Sequence, residues 1–231
     1  MASHPIYQFY AELSDFKPKI WRRFQVSNHI TPARLCYIIQ ALFEMEACHL
    51  MALEAPLELE NVFLRFEIMD EYYEDFLDPD RDVRVFDATG GNLRQIGLKV
   101  GSRLNFNYDF GDDWWVMLTL EKILIDKDLP ARELPRVLEG AGHGIVEDCG
   151  GPGGLANLAK AFRKKKGADY ELYSSWLGIE DFDINSFDLD DMNFRLKKIP
   201  RIFKQSYEDH LTPTKRSYDL IDRKYLNKSQ N

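Results

Sequence analysis

The sequence of 231 residues has few cysteines and no long apolar run. Three cysteines, without a CxxC pair, are too few for a small domain held together by disulfides. The apolar stretches fall short of the roughly 20 residues that a membrane helix needs. The first residues, MASHPIYQFY, lack the basic segment and apolar core of a secretion signal. With 45% hydrophobic and 13% aromatic residues the chain is not a disordered one, so we predict a soluble, cytoplasmic protein without a membrane partner.

Charge is distributed unevenly along the chain, although its total of −8 is modest. Residues 195–231 contain ten lysines or arginines and four acidic residues, which gives a net charge of +6. Residues 1–194 therefore carry −8 − 6, or −14. An acidic body disfavours broad nonspecific binding to duplex DNA, which depends on neutralising phosphates. We expect the basic segment to fold against the acidic body; the alternative is an arm that meets phosphate or an acidic partner.

Hydrophobic periodicity predicts strands in the first part of the chain. The predicted strands cover residues 7–13, 20–26, 49–53, 62–68, 83–86, 103–108 and 115–123, with a charged loop over 70–82. The last two strands are expected to form a hairpin, because the Asp and Gly residues of 109–112 suit a tight connection. Thr31-Pro32 is typical of a helix start, and apolar residues at helical spacing follow as far as Leu42.

The later part of the chain reads as a loop followed by helices. Gly and Pro residues predict a long loop from about residue 128 to 154. Helices are predicted over 155–166, 170–177, 186–198 and 217–226, with Pro200 and Pro213 as breakers. Strands followed by helices, without βαβ alternation, predict an α+β fold. We expect a mostly antiparallel sheet, an N-terminal helix packed on it and a helical C-terminal third.

Several motifs occur in an order that resembles the plasmid pRiA4b ORF-3-like family. They are KPKIWRR (17–23), IIQA (38–41), HL (49–50), YDFGDDW (108–114) and EDCGGP (147–152). The resemblance spans about residues 7–196; it implies an α+β domain found on plasmids, other mobile elements and microbial chromosomes, and it implies no established activity. This chain has Cys36 where relatives usually carry a histidine, and Ile145-Val146 where they tend to have two prolines. We predict a family domain over 1–199 and a basic, partly helical extension over 200–231.

The first candidate site is the acidic turn that contains Asp109, Asp112 and Asp113. Three carboxylates so close together could hold a hard cation such as Mg²⁺ or Ca²⁺, or serve as general acid and base. The alternative is a hairpin turn in which the Asp side chains cap the backbone. The sequence favours the second interpretation without excluding the first.

The second candidate site is Glu147-Asp148, which precedes a run of glycines and a predicted helix. The glycines could expose N–H donors to an anion, or they could simply permit positive φ angles while Asp148 caps a turn. If both acidic motifs share one pocket, a cation or an arginine should lie between them. Arg22 is the rival to a metal ion, since a guanidinium paired with Asp109, Asp112 or Asp148 would form a structural ion network.

Cysteine and histidine chemistry is weakly indicated. A zinc site from Cys48, His49, His143 and Cys149 would lack the closely spaced ligand pairs of such sites. A nucleophilic Cys149 with a histidine base is equally weakly supported. No other cofactor is indicated by the sequence.

Three functions stay open from the sequence. The first is a binding or accessory protein with an acidic pocket near the two glycine-rich turns. The second is a metal-dependent hydrolase or nuclease-like enzyme; its candidate residues are Asp109, Asp112, Asp113, Glu147, Asp148 and Arg22, of which Asp109, Asp112, Glu147 and Asp148 are candidate metal ligands. The third is a nucleic-acid-binding factor that uses the basic tail, with a homodimer through the tail as another use of it; its candidates are Lys204, Lys215, Arg216, Arg223 and Lys224.

Overall fold

The computed structural model describes residues 4–57, 62–69 and 83–223. The predicted loop over 70–82 and the end of the last predicted helix, residues 224–226, lie outside these ranges. The strands are β1 (Ile6–Leu13), β2 (Trp21–Ser27), β3 (Met51–Leu57), β4 (Val62–Glu67), β5 (Val83–Asp87), β6 (Arg103–Tyr108), β7 (Trp114–Leu124) and β8 (Arg136–Ala141). They form one sheet in the order β5-β4-β3-β6-β7-β1-β2-β8. Only β4 and β5 pair in parallel within the described part of the chain, so the sheet is mostly antiparallel and the α+β class is confirmed. Strands β6 and β7 pair antiparallel, which confirms the predicted hairpin.

The helices are α1 (Pro32–Leu42), α2 (Gly151–Lys164), α3 (Ala168–Leu177), α4 (Leu189–Leu196), α5 (Ile199–Tyr207) and α6 (Lys215–Ile221). Helix α1 begins as predicted, because the Thr31 hydroxyl accepts a hydrogen bond from the Arg34 N–H. Its residues are almost all buried, since it contacts β3 and β4 on one side and α4 and α5 on the other. The expected N-terminal helix is therefore a central element that α5 covers, rather than one lying only on the sheet. None of the described helices is long and apolar enough to cross a membrane.

Two predictions about the later part of the chain were wrong. The predicted loop contains β8, an edge strand that pairs with β2. Gly140 lies within β8 and makes this segment read as a loop in the sequence. A glycine is needed there because a Cβ would lie 2.8 Å from the Phe187 ring and 2.9 Å from Cδ of Arg22. Pro200 is not a breaker between helices; it stands in the first turn of α5, where a missing N–H costs nothing.

Candidate functional site

The pairing of β3 with β6 brings two distant parts of the sequence together. Met51 at the start of β3 lies opposite Tyr108 at the end of β6. Just beyond this pair, the N–H of Asp109 donates to the carbonyl of Leu50 over 3.0 Å. His49 and Asp109 consequently leave the sheet at the same edge, side by side.

The loop between β8 and α2 reaches the same edge through close backbone contacts. The N–H of Ile145 donates to the carbonyl of Phe43 over 2.9 Å. Gly151, with φ of 67°, lies so close to Asp112 that a Cβ would be 2.6 Å from its carbonyl oxygen. The two glycine-rich turns therefore pack against each other, and Glu147 and Asp148 come to lie beside His49.

Three carboxylates surround one nitrogen of His49. Nε2 of His49 lies 3.6 Å from Oδ2 of Asp109, 3.7 Å from Oε2 of Glu147 and 3.5 Å from Oδ1 of Asp148. Ligand atoms of His49, Asp109 and Asp148 all lie within 4.8 Å of one another, and the same holds for Cys48, His49 and Glu147. We call these five residues the His49 cluster.

Two atoms in the centre of the His49 cluster have no hydrogen-bond partner among the described residues. They are Nε2 of His49 and Oε2 of Glu147, and both are shielded from solvent. The Glu147 side chain is only 10% exposed, whereas that of Asp148 is 73% exposed. The cluster is thus closed at Glu147 and open to solvent at Asp148.

Tyr108 holds Glu147 and Cys48 in place. Its hydroxyl donates to Oε1 of Glu147 over 2.7 Å and accepts a hydrogen bond from the backbone N–H of Cys48 over 3.3 Å. The N–H of Glu46 also donates to Oε1 of Glu147, over 2.7 Å. Burial raises the pKa of Glu147 despite these hydrogen bonds, and burial beside Glu147 raises the pKa of the Cys48 thiol to about 11.

Tyr207 reaches the cluster from α5, in the C-terminal part of the chain. Its hydroxyl donates to the backbone carbonyl of His49 over 2.5 Å, and its ring stacks on Tyr37 of α1 with centroids 5.6 Å apart. Helix α5 therefore fixes the backbone that carries the central histidine.

The other two carboxylates of the acidic turn have partners of their own. Oδ2 of Asp112 accepts a hydrogen bond from the N–H of Gly150 over 3.1 Å. Oδ1 of Asp113 accepts hydrogen bonds from Nδ2 of Asn107 over 3.0 Å and from Nε1 of Trp115 over 2.8 Å. Asp112 links the two turns and Asp113 closes its own hairpin, and neither is within the groups of ligand atoms around His49.

Arg22 does not occupy the place between the acidic motifs that the rival interpretation gave it. It is completely buried on the inner face of β2, and its five hydrogen bonds go to the carbonyls of Trp21, Leu42, Ala141, Gly142 and His143, at 2.7–3.0 Å. Its guanidinium also lies 4.4 Å from the centre of the Phe187 ring. Arg22 is therefore a structural residue that satisfies the backbone where β8 leaves the sheet.

A second, buried charged cluster forms around Glu44. Nη1 of Arg195 donates to both carboxylate oxygens of Glu44, at 2.6 and 2.8 Å. Arg223 also donates to both oxygens of Glu44, and its Nε donates to Oδ2 of Asp191 over 2.7 Å. Burial alone would raise the pKa of Glu44, but Arg195 and Arg223 lower it to about 2.

Three of the five lysines and arginines in residues 200–223 have carboxylate partners in the same chain. Lys204 lies 2.9 Å from Glu208, Lys215 lies 3.3 Å from Asp219, and Arg223 binds Glu44. Arg216 is exposed and lines a cavity of about 450 Å³ between α4, α5 and α6. Lys224 lies outside the described residues. Among the named pairs of this segment, only those of Arg223 reach the acidic body, at Glu44 and Asp191, whereas those of Lys204 and Lys215 lie within the segment itself.

The sequence around His49 does not mark it as a metal ligand. His49 has no second histidine or cysteine at the spacing of the CxxC or HxxxH pairs that mark zinc sites. The useful signal is its position at the start of a predicted strand and next to Cys48. Only the pairing of that strand with β6 reveals that Asp109 is its neighbour.

Comparisons with known proteins agree with the fold. A sequence model of the family described as "Plasmid pRiA4b ORF-3-like protein" matches residues 5–191, which confirms the predicted resemblance. A comparison with curated proteins gave no match. The chain is similar to a crystal structure described as a protein of unknown function, MM3350, from Methanosarcina mazei Go1. The two share 25% identity and a TM-score of 0.68, over 81% of this chain and 97% of the other.

Proposed function

The chain belongs to the plasmid pRiA4b ORF-3-like family, and we propose that it binds a divalent metal ion in the His49 cluster. The proposal rests on the environment of the Glu147 carboxylate. Its side chain is nine-tenths buried, yet Oε2 has no hydrogen-bond partner among the described residues and faces Nε2 of His49. A buried carboxylate oxygen without a partner is costly, and a bound cation would remove that cost.

The distances within the cluster support the same proposal. The three oxygens lie 3.5–3.7 Å from Nε2 of His49, which is too long for good hydrogen bonds. Ligands about 2.1 Å from a tetrahedral zinc ion are about 3.4 Å from one another. The distance of each carboxylate from His49 is thus close to that between two ligands of one ion.

The ligand types change the expected metal. Mg²⁺ and Ca²⁺, which the acidic turn alone suggested, prefer oxygen ligands. An imidazole together with carboxylates suits Zn²⁺, Mn²⁺, Fe²⁺ or Co²⁺ better. We therefore propose a transition-metal ion bound by His49 together with Glu147, or together with Asp109 and Asp148.

Calorimetric titration of the full chain with Zn²⁺ and Mn²⁺ tests this function. We expect one ion per chain, and His49→Ala should weaken binding of each metal by about 100-fold or more. Asp113→Asn is the matched control, because Asp113 belongs to the same turn but binds Asn107 and Trp115 instead. Equal binding by wild type and His49→Ala, or no binding at millimolar metal, would overturn the proposal.

A second candidate function is metal-assisted hydrolysis, favoured by the open side of the cluster. Because Asp148 is 73% exposed, a cation bound there could keep a water ligand. The cation would supply an acidic water, and Glu147, whose Oε2 lies 3.7 Å from Nε2 of His49, is the group beside it that could accept a proton. Metal-dependent hydrolysis of p-nitrophenyl acetate or bis(p-nitrophenyl) phosphate that His49→Ala abolishes would support this function. Metal binding without turnover of either compound would contradict the hydrolase function and would support a role in binding alone.

A further inference from the structure

Cys48 adds a sulfur atom to one side of the His49 cluster. Its Sγ, a ring nitrogen of His49 and a carboxylate oxygen of Glu147 lie within 4.8 Å of one another. This group shares only His49 with the group that includes Asp109 and Asp148. The histidine can therefore bind a metal together with either of two different ligand sets.

We propose that Cys48 makes the cluster selective for a thiophilic divalent cation such as Zn²⁺, held by Cys48, His49 and Glu147. The inference rests on the proposed metal-binding function and specifies which metal that site prefers. Thiolate ligands favour Zn²⁺ and Cd²⁺, whereas carboxylates favour Mn²⁺ and Mg²⁺. A hard cation would use the oxygens of Asp109 and Asp148, and a thiophilic one would move towards Cys48.

The position of Cys48 is fixed by the residue that also positions Glu147. The Tyr108 hydroxyl accepts a hydrogen bond from the N–H of Cys48, donates to Glu147, and lies 3.6 Å from Sγ of Cys48. The unpartnered Oε2 of Glu147 is an independent indication of a ligand on this side. Two of the three proposed ligands are thus held by one tyrosine before any metal arrives, which lowers the cost of ordering them.

The other two cysteines do not share this environment. Cys36 is fully buried in α1, and the thiol of Cys149 lies 3.8 Å from the carbonyl of Gly151. Neither belongs to the groups of ligand atoms found among the described residues. Cys149 lies in the same glycine-rich loop as Glu147, so Cys149→Ser is a matched control for Cys48→Ser.

On binding, the Cys48 S–H bond breaks, the proton leaves to solvent and the sulfur donates an electron pair to the cation. No oxidant or reductant takes part. The step predicts a sulfur-to-metal charge-transfer band with Co²⁺ or Cd²⁺, and release of one proton more than the Cys48→Ser variant releases.

The test is an ultraviolet absorption titration of the full chain with Co²⁺, together with calorimetry for Zn²⁺ and Mn²⁺. Wild type and Cys149→Ser should show the charge-transfer band, and Cys48→Ser should not. Cys48→Ser should weaken Zn²⁺ binding by more than about tenfold while Mn²⁺ binding stays unchanged.

The outcomes separate this inference from the proposed function. A band that persists in Cys48→Ser, or equal losses for Zn²⁺ and Mn²⁺, would overturn the role of Cys48. If His49→Ala still weakens binding by about 100-fold or more in that case, the metal site itself stands. If wild type binds neither metal, both proposals fail.

Discussion

Glu44 and Glu147 are two buried glutamates with opposite environments. Arg195 and Arg223 bond both carboxylate oxygens of Glu44, and its pKa falls to about 2. Glu147 has hydrogen bonds to one oxygen only, and burial raises its pKa. Both carboxylate oxygens of Glu44 thus have partners within the chain, whereas one oxygen of Glu147 has no partner in the described structure. A buried charge that is fully paired indicates a structural role, and one left incomplete indicates a place for a ligand.

The largest expected effect on stability is at Arg22, a buried charge that, like Glu44, has its partners within the chain. Arg22→Lys should lower the free energy of unfolding by about 4 kcal/mol, because lysine cannot serve five carbonyls and leaves several of them buried without a donor. Arg23→Lys is the control: Arg23 lies on the other face of β2 and its partly exposed pairs with Glu121 and Glu139 should be worth about 1 kcal/mol or less. Urea denaturation measures both, and similar losses would contradict the structural role of Arg22.

Glu44→Gln should cost about 3 kcal/mol, since it leaves two arginines beside an uncharged side chain. The pH dependence has a defined sign, because the folded pKa of Glu44, about 2, is below its ordinary value of 4.5. The unfolded chain then binds more protons between those values, so wild-type stability is full above about pH 4.5 and falls as pH drops towards 2. Urea denaturation from pH 6 to pH 3 should show a smaller fall for Glu44→Gln; an equal fall would contradict the pairing.

Glu147→Gln should behave in the opposite way. Glutamine removes a buried charge and can still accept hydrogen bonds from Tyr108 and the N–H of Glu46, so stability without metal should be unchanged or slightly higher. The same change should weaken Zn²⁺ binding by about tenfold or more, which calorimetry measures. A loss of stability similar to that of Glu44→Gln would remove the contrast between the two glutamates.

The smallest expected effect is at Tyr207, which touches the site only through the backbone of His49. Tyr207→Phe keeps the stacking on Tyr37 but removes the hydrogen bond to the His49 carbonyl. We expect Zn²⁺ binding to weaken by about tenfold or less, as for residues that orient metal ligands. Tyr37→Phe is the control, because its hydroxyl donates to Glu208 instead. Equal effects on Zn²⁺ binding would contradict a specific role for the hydrogen bond from Tyr207 to the His49 carbonyl.

Local patterns predicted the fold class well where residues report on their own backbone. The Thr31-Pro32 start of α1 and the β6–β7 hairpin follow from capping and turn chemistry, which are local. Strand β8 escaped prediction because Gly140 is required by the side chains of Arg22 and Phe187, which are distant in sequence. Local periodicity carries no information about such a contact.

Local patterns predict only part of the His49 cluster. Asp109, Glu147 and Asp148 stood out as carboxylates near glycines, and the structure brings all three to His49. The histidine was undervalued because its neighbours depend on the register of β3 with β6. Arg22 was given a role in the site because its charge was visible in the sequence, whereas the five carbonyls that bind it were not.

The contrast between the two glutamates can be tested most directly by crystallography with Mn²⁺ or Zn²⁺ and anomalous diffraction at the metal edge. The account predicts a peak about 2.1 Å from a ring nitrogen of His49 and none near Glu44. A metal-soaked crystal without a peak at His49, or with direct hydrogen bonds between His49 and the three carboxylates in its place, would contradict it.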